Sequence, residues 1–188
     1  DPANPRSLSH DAVGHLHMDR SGALWVGTRG GGLNRFDPAS SSFTSYRHDS
    51  TDSRSLSSDL VWAIAEDPHG RLWIGTASGL NRLDPATGAI TRYQHDPQDA
   101  NSLGDDNIWA LHLDRSGMLW VGTLGGGLDR FDLTQGTFTH YRERDGLSWS
   151  DPKLRAIDLQ YHDVRPDRGL YHRLERSGKI ERLTTDDE

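Results

Sequence analysis

The 188-residue chain contains no cysteine, which excludes disulfides, Cys-based zinc sites and thiol chemistry. Its formal charge of −7 argues against electrostatic binding to nucleic acid or an anionic membrane. No run approaches the roughly 18 apolar residues of a membrane span and no basic, apolar leader opens the chain, so no membrane contact and no signal peptide are expected of this segment.

In chain order, a short linker, Asn4-Pro5-Arg6-Ser7-Leu8, leads into a first unit whose Asp19-Arg20-Ser21-Gly22 is a turn followed by the apolar string LWVG. A glycine loop, Gly30-Gly31-Gly32, and the string LNRFD come next. The second unit starts at Ser55 and copies the first. Its residues 60–66, 71–76, 80–83 and 89–94 read as strands, joined by Asp67-Pro68-His69-Gly70, a short loop at Ser78-Gly79, and Asp84-Pro85-Ala86-Thr87-Gly88. Asp accepts a local hydrogen bond at the first turn position, Pro presets φ at the second, and Gly tolerates the exit. A third copy starts at Ser102, with the turn Asp114-Arg115-Ser116-Gly117 and the loop Gly125-Gly126-Gly127.

The register is fixed by Trp25, Trp73 and Trp120, which lie 48 and 47 residues apart, whereas Tyr46, Tyr93 and Tyr141 lie 47 and 48 apart. The second copy therefore lacks one residue in its glycine loop, a length change that leaves strand alternation intact. Strand two of each copy is apolar on both faces, so both faces must be covered. Gly27, Gly75 and Gly122 share a face with the three tryptophans and leave room for a neighbouring side chain. Radial stacking of four-stranded meanders satisfies this demand. The expected fold is all-β: a β-propeller fragment with three four-stranded antiparallel blades of 47–48 residues, at about 7–54, 55–101 and 102–145. Residues 146–188 are expected to be a degenerate or partial fourth blade with a frayed, charged tail, and a hairpin is expected at 169–175 and 179–183 around Ser177-Gly178.

The strings DRSGALWVGTRGGGLNRFDP, DPHGRLWIGTASGLNRLDP and DRSGMLWVGTLGGGLDRFD resemble the two-component regulator propeller repeat. The resemblance spans about residues 7–144 and makes Asp19, Asp67 and Asp114, with the tryptophans and glycines above, structural positions of the repeat. It implies a periplasmic or extracytoplasmic, ligand-sensing module of bacterial signal transduction. By the same resemblance the partners are a downstream histidine kinase and the remaining propeller blades or a second copy of the chain.

Residues repeated in every copy are architectural, and those that differ at repeated loop positions carry specificity. Asp11, Asp59 and Asp106 accordingly tie the linkers to backbone N–H groups. Arg29, Arg54, His10, Asp105 and Asn107 are expected to converge on one rim, where they suit a small polar ligand or oligosaccharide: bidentate donors for carboxylate, acceptors for hydroxyls. Trp62 and Trp109 are expected in the core between blades, because Ile64 and Leu111 alternate onto their faces. The ten histidines show no ligand spacing, so neither a metal nor another cofactor is expected. No nucleophile sits beside a base and an orienting acid, and the glycine loop has no helix to hold a phosphate, so no catalytic residue is assigned. The alternatives are a protein-interaction scaffold and a lyase or glycosidase working at the channel mouth.

Overall fold

The computed structural model describes residues 4–142 and two short strands, β13 (His172–Leu174) and β14 (Ile180–Arg182). Three antiparallel sheets of four strands make up the body. The first holds β1 (Val13–Met18), β2 (Leu24–Thr28), β3 (Leu33–Asp37) and β4 (Ser42–Tyr46). The second holds β5 (Val61–Glu66), β6 (Leu72–Thr76), β7 (Gly79–Leu83) and β8 (Ile90–Tyr93). The third holds β9 (Ile108–Leu113), β10 (Met118–Thr123), β11 (Leu128–Asp132) and β12 (Thr137–Tyr141). Strand order follows the chain within each sheet, and no helix occurs among the described residues. β13 pairs with β14 inside the hairpin expected there; the rest of the expected fourth unit lies outside the described residues.

The sheets stack face to face, with the first strands β1, β5 and β9 side by side, which is how propeller blades pack. Strand β6 shows why both of its faces are apolar: Leu72 and Ile74 join Trp25, Leu33, Val61 and Ile64 in one core, while Trp73 joins Leu111, Leu119 and Phe131 in the next. Glycine beside tryptophan is required by sterics. A Cβ on Gly27 would lie 2.7 Å from Val61 Cγ1, and one on Gly75 would lie 2.5 Å from Ile108 Cγ2. Blades 1 and 2 thus each seat the leading side chain of the next.

The repeated Asp does more than open a turn. The Asp19 carboxylate accepts from the N–H groups of Ser21 and Ala23 and from Trp25 Nε1 at 2.8 Å. Asp67 accepts from His69, Arg71 and Trp73 Nε1 at 3.2 Å, and Asp114 from Ser116, Met118 and Trp120 Nε1 at 2.8 Å. One carboxylate therefore fixes both the turn and the indole that fills the core. The repeated tyrosines tilt against the same indoles, with centroids 5.8, 5.5 and 5.6 Å apart in the three blades.

Trp62 and Trp109 are not core residues. Val61 and Ala63 pair with Thr76 and Gly75, which leaves Trp62 as the extra residue of a β-bulge. Ile108 and Ala110 likewise pair with Thr123 and Gly122 around Trp109, and Val13 and His15 with Thr28 and Gly27 around Gly14. The bulge shifts the alternation by one, so Val61 and Ile64 share the core face and Trp62 is turned off it. Trp109 is 54% exposed.

Blade 1 keeps one face open. Val13 and Leu16 are 44% and 59% exposed, whereas their counterparts Val61 and Ile64, and Ile108 and Leu111, are at most 2% exposed beneath the preceding blade.

Candidate ligand site at the loop rim

The rim is built from the loops between the second and third strands. In each, a buried threonine organises the glycines: Thr28 Oγ1 accepts from Gly31 N–H and donates to Gly32 O, Thr76 does so with Ser78 and Gly79, and Thr123 with Gly126 and Gly127. Gly79 has φ +130°, and a Cβ there would lie 2.8 Å from Tyr93 O, so the loop must carry glycine. The loops then reach across. Gly30 and Gly32 donate to Asp59 O at 3.0 and 2.9 Å, and Gly79 donates to Asp106 O at 2.7 Å.

The side chains of Asp59 and Asp106 tie the linkers, as their repetition suggested. Asp59 accepts from His48 N–H and Asp106 from His95 N–H, both at 2.7 Å. His48 Nδ1 and His95 Nδ1 each lie 2.7 Å from the carbonyls of Leu56 and Leu103. A carbonyl only accepts, so Nδ1 carries the proton in both rings.

Arg29 leaves the first rim loop, its N–H bound to Ala12 O, and its guanidinium lies over Trp62 at 5.2 Å from the ring centroid. Trp62 in turn stacks on Trp109, with centroids 5.5 Å apart and planes 12° from parallel. The structure thus places Arg29 on one indole and, through it, beside a second. His10 sits against Gly30 with its Nδ1 accepting from Ala12 N–H at 3.0 Å. Asp105 occupies the same place in blade 3, against Gly125, and accepts from Asn107 N–H at 2.8 Å. Leu124 N–H binds Asn107 O, while the buried Asn107 Oδ1 has no hydrogen-bond partner. Arg54 belongs elsewhere in the blade: its linker is gripped by Arg92 of β8, which donates to the carbonyls of Asp52, Ser55 and Leu56, and Arg54 itself faces Asp52 at 3.5 Å. β8 is the far edge of the sheet from β5.

The histidines form no metal centre among the described residues. His15 and His17 lie on one face of β1 toward blade 2, and His17 Nε2 is 3.8 Å from Glu66 Oε2. Burial lowers both pKa values; the neighbouring His17 charge adds to this at His15, while Glu66 and Asp19 work against it at His17. A second buried polar position, at β3 and its equivalents, escaped the sequence reading. Asn34 and Asn81 accept from the N–H groups of Ser9 and Ser57, and Asp129 from that of Gly104. Only in blade 3 is this residue an acid, and there His140 stands opposite with Nδ1 at 2.6 Å and Nε2 at 3.1 Å from Ala100 O. Burial raises the Asp129 pKa, against the pull of His140 and the Gly104 N–H. The covarying pair, Asn34 with Ser45 in one copy and Asp129 with His140 in another, was the signal available in the sequence.

Residues 7–30, 55–78 and 102–125 each match the two component regulator propeller family. The described blades form a β-propeller fragment of the two-component regulator propeller type. The extracellular domain of a hybrid two component system from B. thetaiotaomicron superposes with a TM-score of 0.67 at 30% identity, over 74% of this chain and 19% of that one. A second extracellular domain from the same organism gives 0.64 at 22% identity over 94% of this chain and 22% of the other, a likeness of fold alone. So is that to virginiamycin B lyase from Staphylococcus aureus, at 0.52 and 18% identity over 69% of this chain and 41% of the lyase. The C-terminal segment has a different relative. Residues 134–188 match the Pup-ligase protein family, and a depupylase from Acidothermus cellulolyticus is 60% identical over 43 residues, 23% of this chain and 8% of that enzyme. The chain therefore spans about a fifth of the sensor domains and under a tenth of the depupylase. The last propeller match ends at residue 125 and the Pup-ligase match starts at residue 134, so the latter takes in β12 of the third blade as well as the residues for which a fourth blade was expected.

Proposed function

We propose that the three propeller repeats are part of a ligand-sensing, non-catalytic module of a bacterial two-component receptor, located outside the cytoplasm and coupled to a histidine kinase. The observation that carries this reading is the 30% identity and common fold with an extracellular two-component domain. The rim supplies what such a module needs: loops from successive blades, bonded across the blade boundary, so that a ligand bridging them biases how the blades pack. A small polar ligand or carbohydrate suits its mixture of indole, amide, imidazole and carboxylate. A thermal-shift screen of mono- and oligosaccharides is the test. A saturable rise in Tm with one sugar class supports the reading, and unchanged melting across the whole series overturns it.

A second reading is favoured by the C-terminal match alone: the segment from residue 134 is related to a portion of a Pup-handling enzyme joined to the propeller. Hydrolysis of a pupylated protein by the full chain would favour that reading and end the non-catalytic one.

A further inference from the structure

One position of each fourth strand lies beside the linker that enters its blade. Ser45, Arg92 and His140 hold that position, opposite Asn34, Asn81 and Asp129. In blade 2 the grip is that of a permanent cation: Arg92 donates to the carbonyls of Asp52, Ser55 and Leu56 in the linker from blade 1. In blade 3 two titratable groups hold the linker from blade 2 instead. His140 Nε2 lies 3.1 Å from Ala100 O, and Asp129 accepts from Gly104 N–H at 2.7 Å. His140 Nδ1 lies 2.6 Å from the other oxygen of Asp129, a fully buried carboxyl group.

These contacts count protons. Ala100 O only accepts, so Nε2 must carry a hydrogen. The contact between Nδ1 and Asp129 Oδ1 needs a second hydrogen, on the ring or on the carboxyl group. An imidazolium beside a carboxylate supplies it, and so does a neutral imidazole beside a protonated acid. Both forms hold one proton more than a carboxylate beside a neutral imidazole. With that proton removed, one ring hydrogen remains for two acceptors, and a nitrogen lone pair has to face either Ala100 O or Asp129 Oδ1. The hydrogen then belongs on Nδ1, because the buried carboxylate has no water to replace its partner, whereas Ala100 is exposed. The Ala100 contact is the one that opens. Around the pair, Arg142, just past β12, favours the ionised form of Asp129. The acids of the linker are turned to local amides: Asp99 accepts from Asn101 N–H, Asp105 from Asn107 N–H and Asp106 from His95 N–H, while His95 Nδ1 donates to Leu103 O.

We propose that His140 and Asp129 are a proton-dependent clasp on the linker between blades 2 and 3, closed on Ala100 O while the pair holds its shared proton and open once that proton is lost at higher pH. The joint between blades 1 and 2, gripped by Arg92, lacks this dependence. The clasp works whether or not the rim binds a ligand.

Ring 15N shifts of His140, assigned by comparison with His140→Arg, and amide hydrogen exchange corrected for the intrinsic effect of pH test the clasp in the full chain from about pH 5 to about pH 9. The expected result is loss of the Nε2 hydrogen as pH rises, with the Nδ1 hydrogen retained, and with it a rise of about tenfold or more in exchange at residues 100–103 beyond any change at 53–56. Two variants copy the other blades. His140→Arg supplies the permanent cation of blade 2. Asp129→Asn supplies the amide of blades 1 and 2, whose oxygen still accepts from Gly104 N–H and whose NH2 donates to Nδ1, leaving the hydrogen on Nε2. Both are expected to abolish the pH-dependent excess in exchange, and Asp129→Asn to keep the Nε2 hydrogen across the range. A wild-type ring that keeps its Nε2 hydrogen throughout overturns the clasp. So does an equal change of exchange in the two linkers, or an excess that persists in either variant.

Discussion

Asp67 is the most constrained residue of the middle blade, a fully buried carboxylate holding two turn amides, the Arg71 guanidinium at 2.6 Å and the Trp73 indole. Asp67→Ala leaves several buried donors unpaired and is expected to cost roughly 2–4 kcal/mol, measured by urea denaturation. Burial works to raise the pKa of Asp19, Asp67 and Asp114, yet the hydrogen bonds they accept hold all three below the model-compound value of 3.8. Depressed carboxylates contribute stability that is complete above that value and lost as pH falls through the folded-state pKa. His15 and His17, also lowered, contribute stability that is complete above 6.5 and lost as pH falls below it. Tm is therefore expected to decline in two stages, from about pH 6.5 and again below about pH 4. Asp129 has the opposite sign: with its pKa raised, it favours the fold as pH falls toward 3.8. Asp129→Asn, which copies Asn34 and Asn81, removes that gain, so a plot of Tm against pH should fall more steeply in the variant as the pH approaches 3.8 from above.

Within each blade, the division between core and rim follows the strands. Trp73 touches Tyr93 and Phe131 from within the core, and Trp73→Ala is expected to cost roughly 3–5 kcal/mol. Arg29→Ala loses one stacking contact at the rim and is expected to cost under about 1 kcal/mol, so equal drops in Tm would refute the division. Gly75→Ala puts a methyl against Ile108 and should cost roughly 1–3 kcal/mol through overpacking, although no hydrogen bond changes. The strands were legible to within a residue or so because turns and alternation mark them: β5 to β8 fall within or one residue beyond the expected ranges. What alternation could not reveal was the bulge. Placing Trp62 by counting from Ile64 assumes an unbroken period of two, and one inserted residue reverses the answer. The same gap hides the placing of the Arg29 guanidinium over the Trp62 indole.

For the whole molecule, stability is the sum of blades and of the interfaces between neighbours. The matched pair Leu16 and Leu111 tests this, because they hold the same place in β1 and β9 with opposite surroundings. Leu111→Ala is expected to cost roughly 2–5 kcal/mol and Leu16→Ala under about 1 kcal/mol, with calorimetry as the measure; equal losses would show that the open face of blade 1 is covered in solution. The propeller class was readable because 48- and 47-residue spacings recur over the first three copies, and the sensor resemblance because each copy carries the Asp-x-x-Gly and Leu-Trp-x-Gly-Thr strings, which spacing alone would not have identified. The C-terminal relationship to Pup-handling enzymes was not, since a segment without a repeat offers no internal comparison.

The bulge in each first strand gives this architecture room to diversify. Trp62 and Trp109 sit where the backbone has already departed from its lattice, so a mutation there alters what the rim displays and leaves the interlocked hydrophobic layers in place, whereas at Gly14 a Cβ would come within 3.0 Å of Val61 O in the next blade. Duplicating a blade copies that blank position along with the scaffold. Selection can then rewrite recognition one blade at a time, without renegotiating the fold.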